Sequence, residues 1–260
     1  MKQKIVFIDI DGTLFDNEHN LIHPSTIKAL AKLKEKNIKV CIASGRSMVL
    51  CQEVLNRYKL SCDGYVLING QYVILNEEVI YKNPLPKTFI NEFISECKRK
   101  QLDYGFMALD DTFVSSHRKE VVKSFSDFKM SLPRVIVQED LSKELYQALF
   151  FDIDSIPYFS QKFAQYVKFI IWSINDGADV IPLYASKKIG MKKIIEKLQI
   201  NREDVYAFGD SLNDMEMLEY ANIGVAMGNA HPELKRIANL VTDDIDKDGL
   251  YKALKLLDLI

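Results

Sequence analysis

The sequence lacks most of the features that point to a metal knuckle, a disulfide scaffold or a membrane anchor. Its four cysteines, Cys41, Cys51, Cys62 and Cys97, form no CxxC pair, so neither a zinc ribbon nor a disulfide framework is indicated and free thiols in a reducing compartment are expected. The four histidines, His19, His23, His117 and His231, are scattered without metal-ligand spacing. No GxxxxGK[ST] segment is present, which excludes a P-loop. Apolar runs stop far short of the ~18 residues that a bilayer span requires; Phe169 to Ile174 is only strand length. The N-terminus passes from Met1 through two lysines into a short apolar run ending at Asp9, without the apolar region of a signal peptide. Charge of one sign is also missing: the formal net charge is -2, so no basic field awaits a polyanion. The expectation is a cytoplasmic protein with neither nucleic acid nor membrane as partner.

What is present is ordinary globular material. Hydrophobic residues make up 48% and charged residues 27% of 260, enough for one large core or two modest ones. The apolar run Ile5 to Ile8, a helical pattern at Ile27, Leu30 and Leu33, and a second run Ile38 to Ala43 follow βαβ grammar. A helix over Met48 to Tyr58 and a strand over Tyr65 to Ile68 continue it. These strands are apolar throughout, as strands of a parallel sheet covered on both faces are. Beyond Tyr81 the texture changes: Pro84 and Pro86 precede a helix with Phe89, Ile90, Phe93, Ile94 and Cys97 on one face. Short strands around Phe113, Val135 to Val137, Leu149 to Phe151 and Phe169 to Trp172 then alternate with helical stretches. The βα pattern returns with a helix at Gly190 to Leu198, a strand at Val205 to Phe208, a helix at Asp214 to Tyr220, a strand at Ile223 to Ala226 and a last helix near Leu250 to Leu257. The reading is an α/β protein: a Rossmann-like parallel-sheet core built from residues 1–81 and 182–260, interrupted by an α+β domain over 82–181.

In open parallel sheets, ligands gather at the carboxyl ends of the strands. Asp9, Ser44, Asn69 and Asp210 each follow an apolar run, so the fold itself would bring them together, although each alone is also what a turn cap looks like. Asp9 and Asp11 are two apart, and in an extended segment both carboxylates would point the same way. Two like charges so close favour a proton on one of them. Gly12 permits a tight turn that aims backbone N–H groups at a ligand. One rival is the acidic stretch from Asp244 to Gly249, which opens like an EF-hand loop but has Lys255 where the bidentate glutamate belongs.

Asp9-Ile10-Asp11-Gly12-Thr13-Leu14 resembles the first motif of the haloacid dehalogenase superfamily. Ser44-Gly45-Arg46 resembles the second, Lys187 the third and Gly209-Asp210-Ser211-Leu212-Asn213-Asp214 the fourth. With the Asn69-Gly70 turn and the insertion after the third core strand, the whole chain resembles the Cof-type branch, whose large α+β (type IIB) cap sets specificity. The resemblance implies a Mg²⁺-dependent phosphatase for a small phosphorylated metabolite such as a sugar phosphate. Asp9 would be the nucleophile that becomes a phosphoaspartate and Asp11 the acid/base, holding a proton while Asp9 stays ionised. Ser44 and Lys187 would assist catalysis. Gly12, Gly45, Arg46 and Asn213 would bind substrate, with Arg46 at the leaving group. Asp9, Asp11 (through its backbone carbonyl), Asp210 and Asp214 would hold the metal. Two departures stand out: Ser44 replaces the commoner threonine and keeps its hydroxyl, and Lys188 stands where the family often has glycine, leaving Lys188 as a rival to Lys187. In the insertion, Trp172, Tyr104 and Phe106 are either sugar-stacking or core residues; the histidines read by default as solvated or locally bonded, and His117 alone among them is placed where it could face substrate. A phosphomutase-type transfer and a non-catalytic phosphometabolite-binding module are the alternatives. A monomer is expected.

Overall fold

The computed structural model describes residues 2–127, 130–172 and 176–260. The chain forms two compact units, one of Met1–Lys82 with Ser186–Ile260 and one of Asn83–Ala185. Ile174, the end of the apolar run from Phe169, lies outside the described residues. No helix among the described residues is long and apolar enough to cross a membrane.

The first unit opens with β1 (Ile5–Ile8), α1 (Pro24–Glu35), β2 (Lys39–Ala43), α2 (Met48–Arg57), β3 (Gly64–Leu67), β4 (Tyr72–Leu75) and β5 (Glu78–Lys82). In the second unit follow α3 (Lys87–Lys100), β6 (Tyr104–Met107), β7 (Thr112–Val114), α4 (Lys119–Asp127), β8 (Arg134–Val135), β9 (Gln147–Phe150), α5 (Ile156–Lys162), β10 (Val167–Ile171) and β11 (Ala178–Pro182). The first unit then resumes with α6 (Lys187–Leu198), β12 (Val205–Gly209), α7 (Met215–Tyr220), β13 (Ile223–Ala226), α8 (Pro232–Ile237), β14 (Leu240–Val241) and α9 (Gly249–Leu256).

Its sheet runs in the order β14-β13-β12-β1-β2-β3-β4-β5 among the described residues. Strands β14 through β3 are parallel, and β1 lies between β12 and β2 with Ile5 facing Val205 on one side and Lys39 on the other. All four β1 side chains are fully buried, which explains an apolar run without alternation. The β4–β5 hairpin adds two antiparallel strands that the apolar runs did not single out. Its turn residues Asn76 and Glu77 both have positive φ, 47° and 68°, as a two-residue hairpin turn of the primed type requires. Helix α6 starts three residues before the expected Gly190, because Ser186 caps it by accepting a hydrogen bond from the Ile189 N–H. A 3₁₀ turn over Leu212–Asp214 precedes α7.

The second unit has its own sheet, β10-β11-β9-β6-β7-β8 among the described residues, antiparallel except for β7–β8. Its last strand continues to Pro182, paired with Val167, so the chain leaves the unit a few residues later than expected. One face packs against α3 and α5 in an aromatic core. Phe93 is central to it, within 5.2–6.3 Å of the rings of Phe89, Tyr104, Phe106, Phe150, Phe159 and Phe163. Tyr104 and Phe106 are therefore core residues. Phe93→Ala removes the ring that touches the most others and leaves a cavity; it is expected to cost about 3–5 kcal/mol in urea unfolding. A loss under about 1 kcal/mol would mean that these rings do not share one core.

Candidate active site

Because β1, β2, β3 and β12 are neighbouring parallel strands, their carboxyl ends share one edge of the sheet. Asp9 follows β1, Ser44 follows β2 and Asp210 follows β12. The chain does not stay extended after Asp9. The Ile10 carbonyl accepts hydrogen bonds from the N–H groups of Thr13, Leu14 and Phe15 at 3.3, 2.9 and 2.7 Å, which curls the chain into a turn. Gly12 has φ +74°, and a Cβ there would lie 2.4 Å from Asp210 Oδ2, so neither the conformation nor the space admits a side chain. Asn229 Nδ2 donates to the Gly12 carbonyl at 2.8 Å and fixes the turn from below. The curl separates the paired aspartates: they do not point the same way, as an extended segment would have required.

Asp9 turns inward to a lysine. Lys187, the first residue of α6, is 1% exposed, and its Nζ donates to Asp9 Oδ1 and Asp214 Oδ1, each at 2.6 Å. Lys188 instead pairs at the surface with Glu216 at 3.0 Å, so helix phase decides between the two lysines. Asp214 is fully buried, and its second oxygen accepts from the backbone N–H groups of Asp210 and Ser211 at 3.1 and 3.0 Å. That bond holds the Asp210 loop in place. Asp210 in turn accepts from the hydroxyls of Thr13 and Ser211, both at 3.2 Å. Ligand oxygens of Asp9, Asp210 and Asp214 lie within 4.8 Å of one another. Thr13 and Asn229 were not assigned roles from the sequence. Thr13 stands inside the first motif, whereas nothing local marked Asn229.

Asp11 turns outward to an arginine. Arg46 Nε and Nη2 donate to its two oxygens at 2.8 and 2.6 Å, a bidentate pair. Arg46, expected at a leaving group, is therefore engaged with Asp11, 35 residues away in sequence, and also lies over the Phe15 ring. Ser44 is buried, and its Oγ accepts from the Arg46 N–H at 3.1 Å, which closes the Ser44-Gly45-Arg46 turn. Asn213 Nδ2 donates to Asn69 Oδ1 at 3.0 Å. Elsewhere, His117 bonds the Pro133 carbonyl, and Trp172 packs edge-on against Phe151 while donating to Asp179. The acidic stretch pairs with lysines, Asp244 with Lys247 and Asp243 with Lys252. The cysteines are free.

The sequence matches the family described as haloacid dehalogenase-like hydrolase over residues 6–254. The chain belongs to this family. It is 39% identical over the full length of both chains to the putative phosphatase YkrA of Bacillus subtilis (strain 168). Its fold superposes with a TM-score of 0.92 on the crystal structure of a hypothetical protein from Geobacillus kaustophilus HTA426, at 38% identity and covering 99% of this chain and 100% of that one. The subclass IIB sugar phosphatase BT4131 is similar at a TM-score of 0.84 and 34% identity, over 99% and 100% of the two chains. This haloacid dehalogenase-like hydrolase is a phosphatase, a phosphoric monoester hydrolase acting on phosphorylated small molecules.

Electrostatics divide the site sharply. Burial pushes the Asp9 carboxyl well above its ordinary value; Lys187 opposes this, while Asp214, Asp210 and Asp11 add to it. Burial and Asp214 push Asp210 up to about 6 against the pull of Lys187. Lys187 shows the converse: burial alone would lower it, but Asp214 and Asp9 outweigh burial and hold it protonated. Burial would also raise Asp11, yet the hydrogen bonds and charge of Arg46 win and lower it. In this arrangement Asp11 is thus the more acidic of the pair, opposite to the expected proton holder, because Arg46 outweighs burial at Asp11 whereas burial and the neighbouring carboxylates outweigh Lys187 at Asp9.

Lys187→Met leaves Asp9 and Asp214 buried without their shared cation. The expected cost is about 3–5 kcal/mol in urea unfolding, and unchanged stability would contradict the buried triad. A second cluster lies just past the turn. Buried Asp16 accepts from the N–H groups of Glu18 and His19 at 3.0 Å and contacts His19 Nδ1 and His23 Nε2 at 2.9 Å. Burial would raise Asp16, but these hydrogen bonds hold it well below its ordinary 3.8, and the bond to Asp16 raises His19 above 6.5. Stability from Asp16 is present above pH 3.8 and lost as pH falls through its lower folded value, while that from His19 is lost as pH rises through its higher folded value. The stability gap between wild type and Asp16→Asn should therefore be widest from about pH 4 to 6.5 and shrink on either side. A gap that does not vary with pH in urea titrations would refute this.

Proposed function

We propose that this phosphatase hydrolyses a small sugar phosphate with Mg²⁺ bound, through a phosphoaspartate on Asp9. The observation that supports it best is the buried ammonium of Lys187 shared between Asp9 and Asp214, 2.6 Å from each. A buried carboxylate kept beside a fixed cation is ready to attack phosphorus and to share charge with the incoming group. Likeness to the sugar phosphatase BT4131 supports the substrate class.

Asp9, Asp210 and Asp214 suit a small divalent cation, since they offer hard oxygen donors within 4.8 Å of one another. Burial, with the neighbouring carboxylates adding to it, raises Asp9 and Asp210, and a cation would relieve the negative charge gathered there. Asp9, Asp210 and the Asp11 carbonyl would hold Mg²⁺, whose charge steadies the phosphoryl oxygens when it is bound. Asp214, with both oxygens already bonded, fixes Lys187 and the Asp210 loop. In the first half-reaction Asp9 attacks phosphorus and the P–O bond to the leaving alcohol breaks. Asp11 gives that alcohol its proton, then takes one from the water that cleaves the acyl phosphate. Because Arg46 holds Asp11 ionised, the pair must part before Asp11 can carry a proton. Ser44 and Asn213 bond the phosphoryl oxygens.

The test is phosphate release from a panel of sugar phosphates, nucleotides and cofactor phosphates with Mg²⁺. Asp9→Asn is expected to lower kcat by about 10³-fold or more, and EDTA to abolish turnover until Mg²⁺ is restored. Full activity in Asp9→Asn would remove the nucleophile, and activity indifferent to EDTA would remove the metal.

A further inference from the structure

Between β3 and β4 the backbone does something costly. Ile68, Asn69 and Gly70 have φ of 48°, 53° and 86° in succession. Asparagine tolerates the left-handed region and glycine favours it, but a β-branched isoleucine resists it. Such conformations persist where the surroundings over-determine them, and they gather at functional sites. Here the surroundings are three of the four segments that build the site. The Asn69 N–H donates to the Ser44 carbonyl and the Ile68 N–H to the Arg46 carbonyl, both at 3.1 Å. Gly70 lies against the start of α6 so closely that a Cβ would be 1.9 Å from the Ser186 carbonyl oxygen. The 6%-exposed Asn69 side chain receives the hydrogen bond of Asn213 at 3.0 Å and sits over Gly45, where a Cβ would be 3.4 Å from its Oδ1.

We infer that Asn69 is a positioning residue for phosphate binding: its backbone sets the Ser44 loop and its amide sets Asn213, so both polar side chains face one phosphoryl group. This rests on the reading of Ser44 and Asn213 as phosphate contacts. A turn needing only its backbone shape would be served by glycine at 69. The side-chain bond to Asn213, 144 residues away in sequence, is what glycine would lose. Asn213 Oδ1 is buried without a partner among the described residues, so without Asn69 the amide would keep no bond to fix its plane.

The comparison that isolates the side chain is Asn69→Gly, which keeps the left-handed backbone, alongside Asn213→Ala and the double variant. Each would be measured for orthophosphate affinity by calorimetry with Mg²⁺, for KM and kcat on p-nitrophenyl phosphate, and for Tm. Each single change is expected to weaken orthophosphate binding and raise KM roughly tenfold, with kcat changing less. The double variant should lose no more than the worse single one, because the two amides act as a unit. Unchanged orthophosphate affinity in Asn69→Gly, or losses that multiply in the double variant, would overturn the inference. Should Asn69→Gly not fold, Asn69→Ser carries the same comparison, since its hydroxyl is too short to meet Asn213. A wild-type protein that binds orthophosphate but does not turn over p-nitrophenyl phosphate would count against the proposed mechanism, and the binding series would still decide the role of Asn69.

Discussion

The site depends on one buried ammonium. Lys187 Nζ lies between Asp9 and Asp214, and without it these buried acids would have to take up protons or move apart. Its bond to Asp214 has a second effect, because the other oxygen of that carboxylate holds the backbone of Asp210 and Ser211. The same charge thus steadies the loop after β12 and the carboxylate after β1. Ser186, by capping α6 one residue earlier, sets the helix phase that points Lys187 inward and leaves Lys188 at the surface.

The two aspartates of the first motif belong to different electrostatic surroundings. Asp9 shares its cation with another acid, whereas Asp11 has a bidentate guanidinium to itself. The curl around the Ile10 carbonyl and Gly12 separates them, and that curl is held by Asn229 from the far end of the chain. Proton affinity within the pair is therefore set by residues that the motif does not contain. The acid–base role proposed for Asp11 therefore has to include Arg46.

The sequence made the parallel sheet readable because β1, β2, β3 and β12 are buried on both faces and so are written as unbroken apolar runs. Asp9, Ser44 and Asp210 were readable for the same reason, as polar residues at the ends of those runs. The β4–β5 hairpin was missed because its turn uses Asn76-Glu77, and glutamate is a poor signal for positive φ. The choice between Lys187 and Lys188 needed the helix start, which local pattern places only to within a few residues. The bonds from Arg46 to Asp11, Asn213 to Asn69 and Asn229 to Gly12 span 35, 144 and 217 positions, and side-chain direction over such distances has no local signature. Chemistry-bearing residue types were visible, but their partners were not.

The place of β1 between β2 and β12 has a consequence for how the chain is made. One edge of β1 pairs within the first 43 residues, but its other partner begins at Val205. At about 5–20 residues per second, roughly eight to thirty seconds of synthesis separate the two edges. Throughout that interval a fully apolar strand preceding Asp9 has unpaired backbone groups on one side, while Asn83–Ala185, with its own aromatic core, is made in full shortly before Val205. The chain of the inserted unit is therefore complete before that of the enclosing one, and until β12 is made β1 keeps an open, aggregation-prone sheet edge.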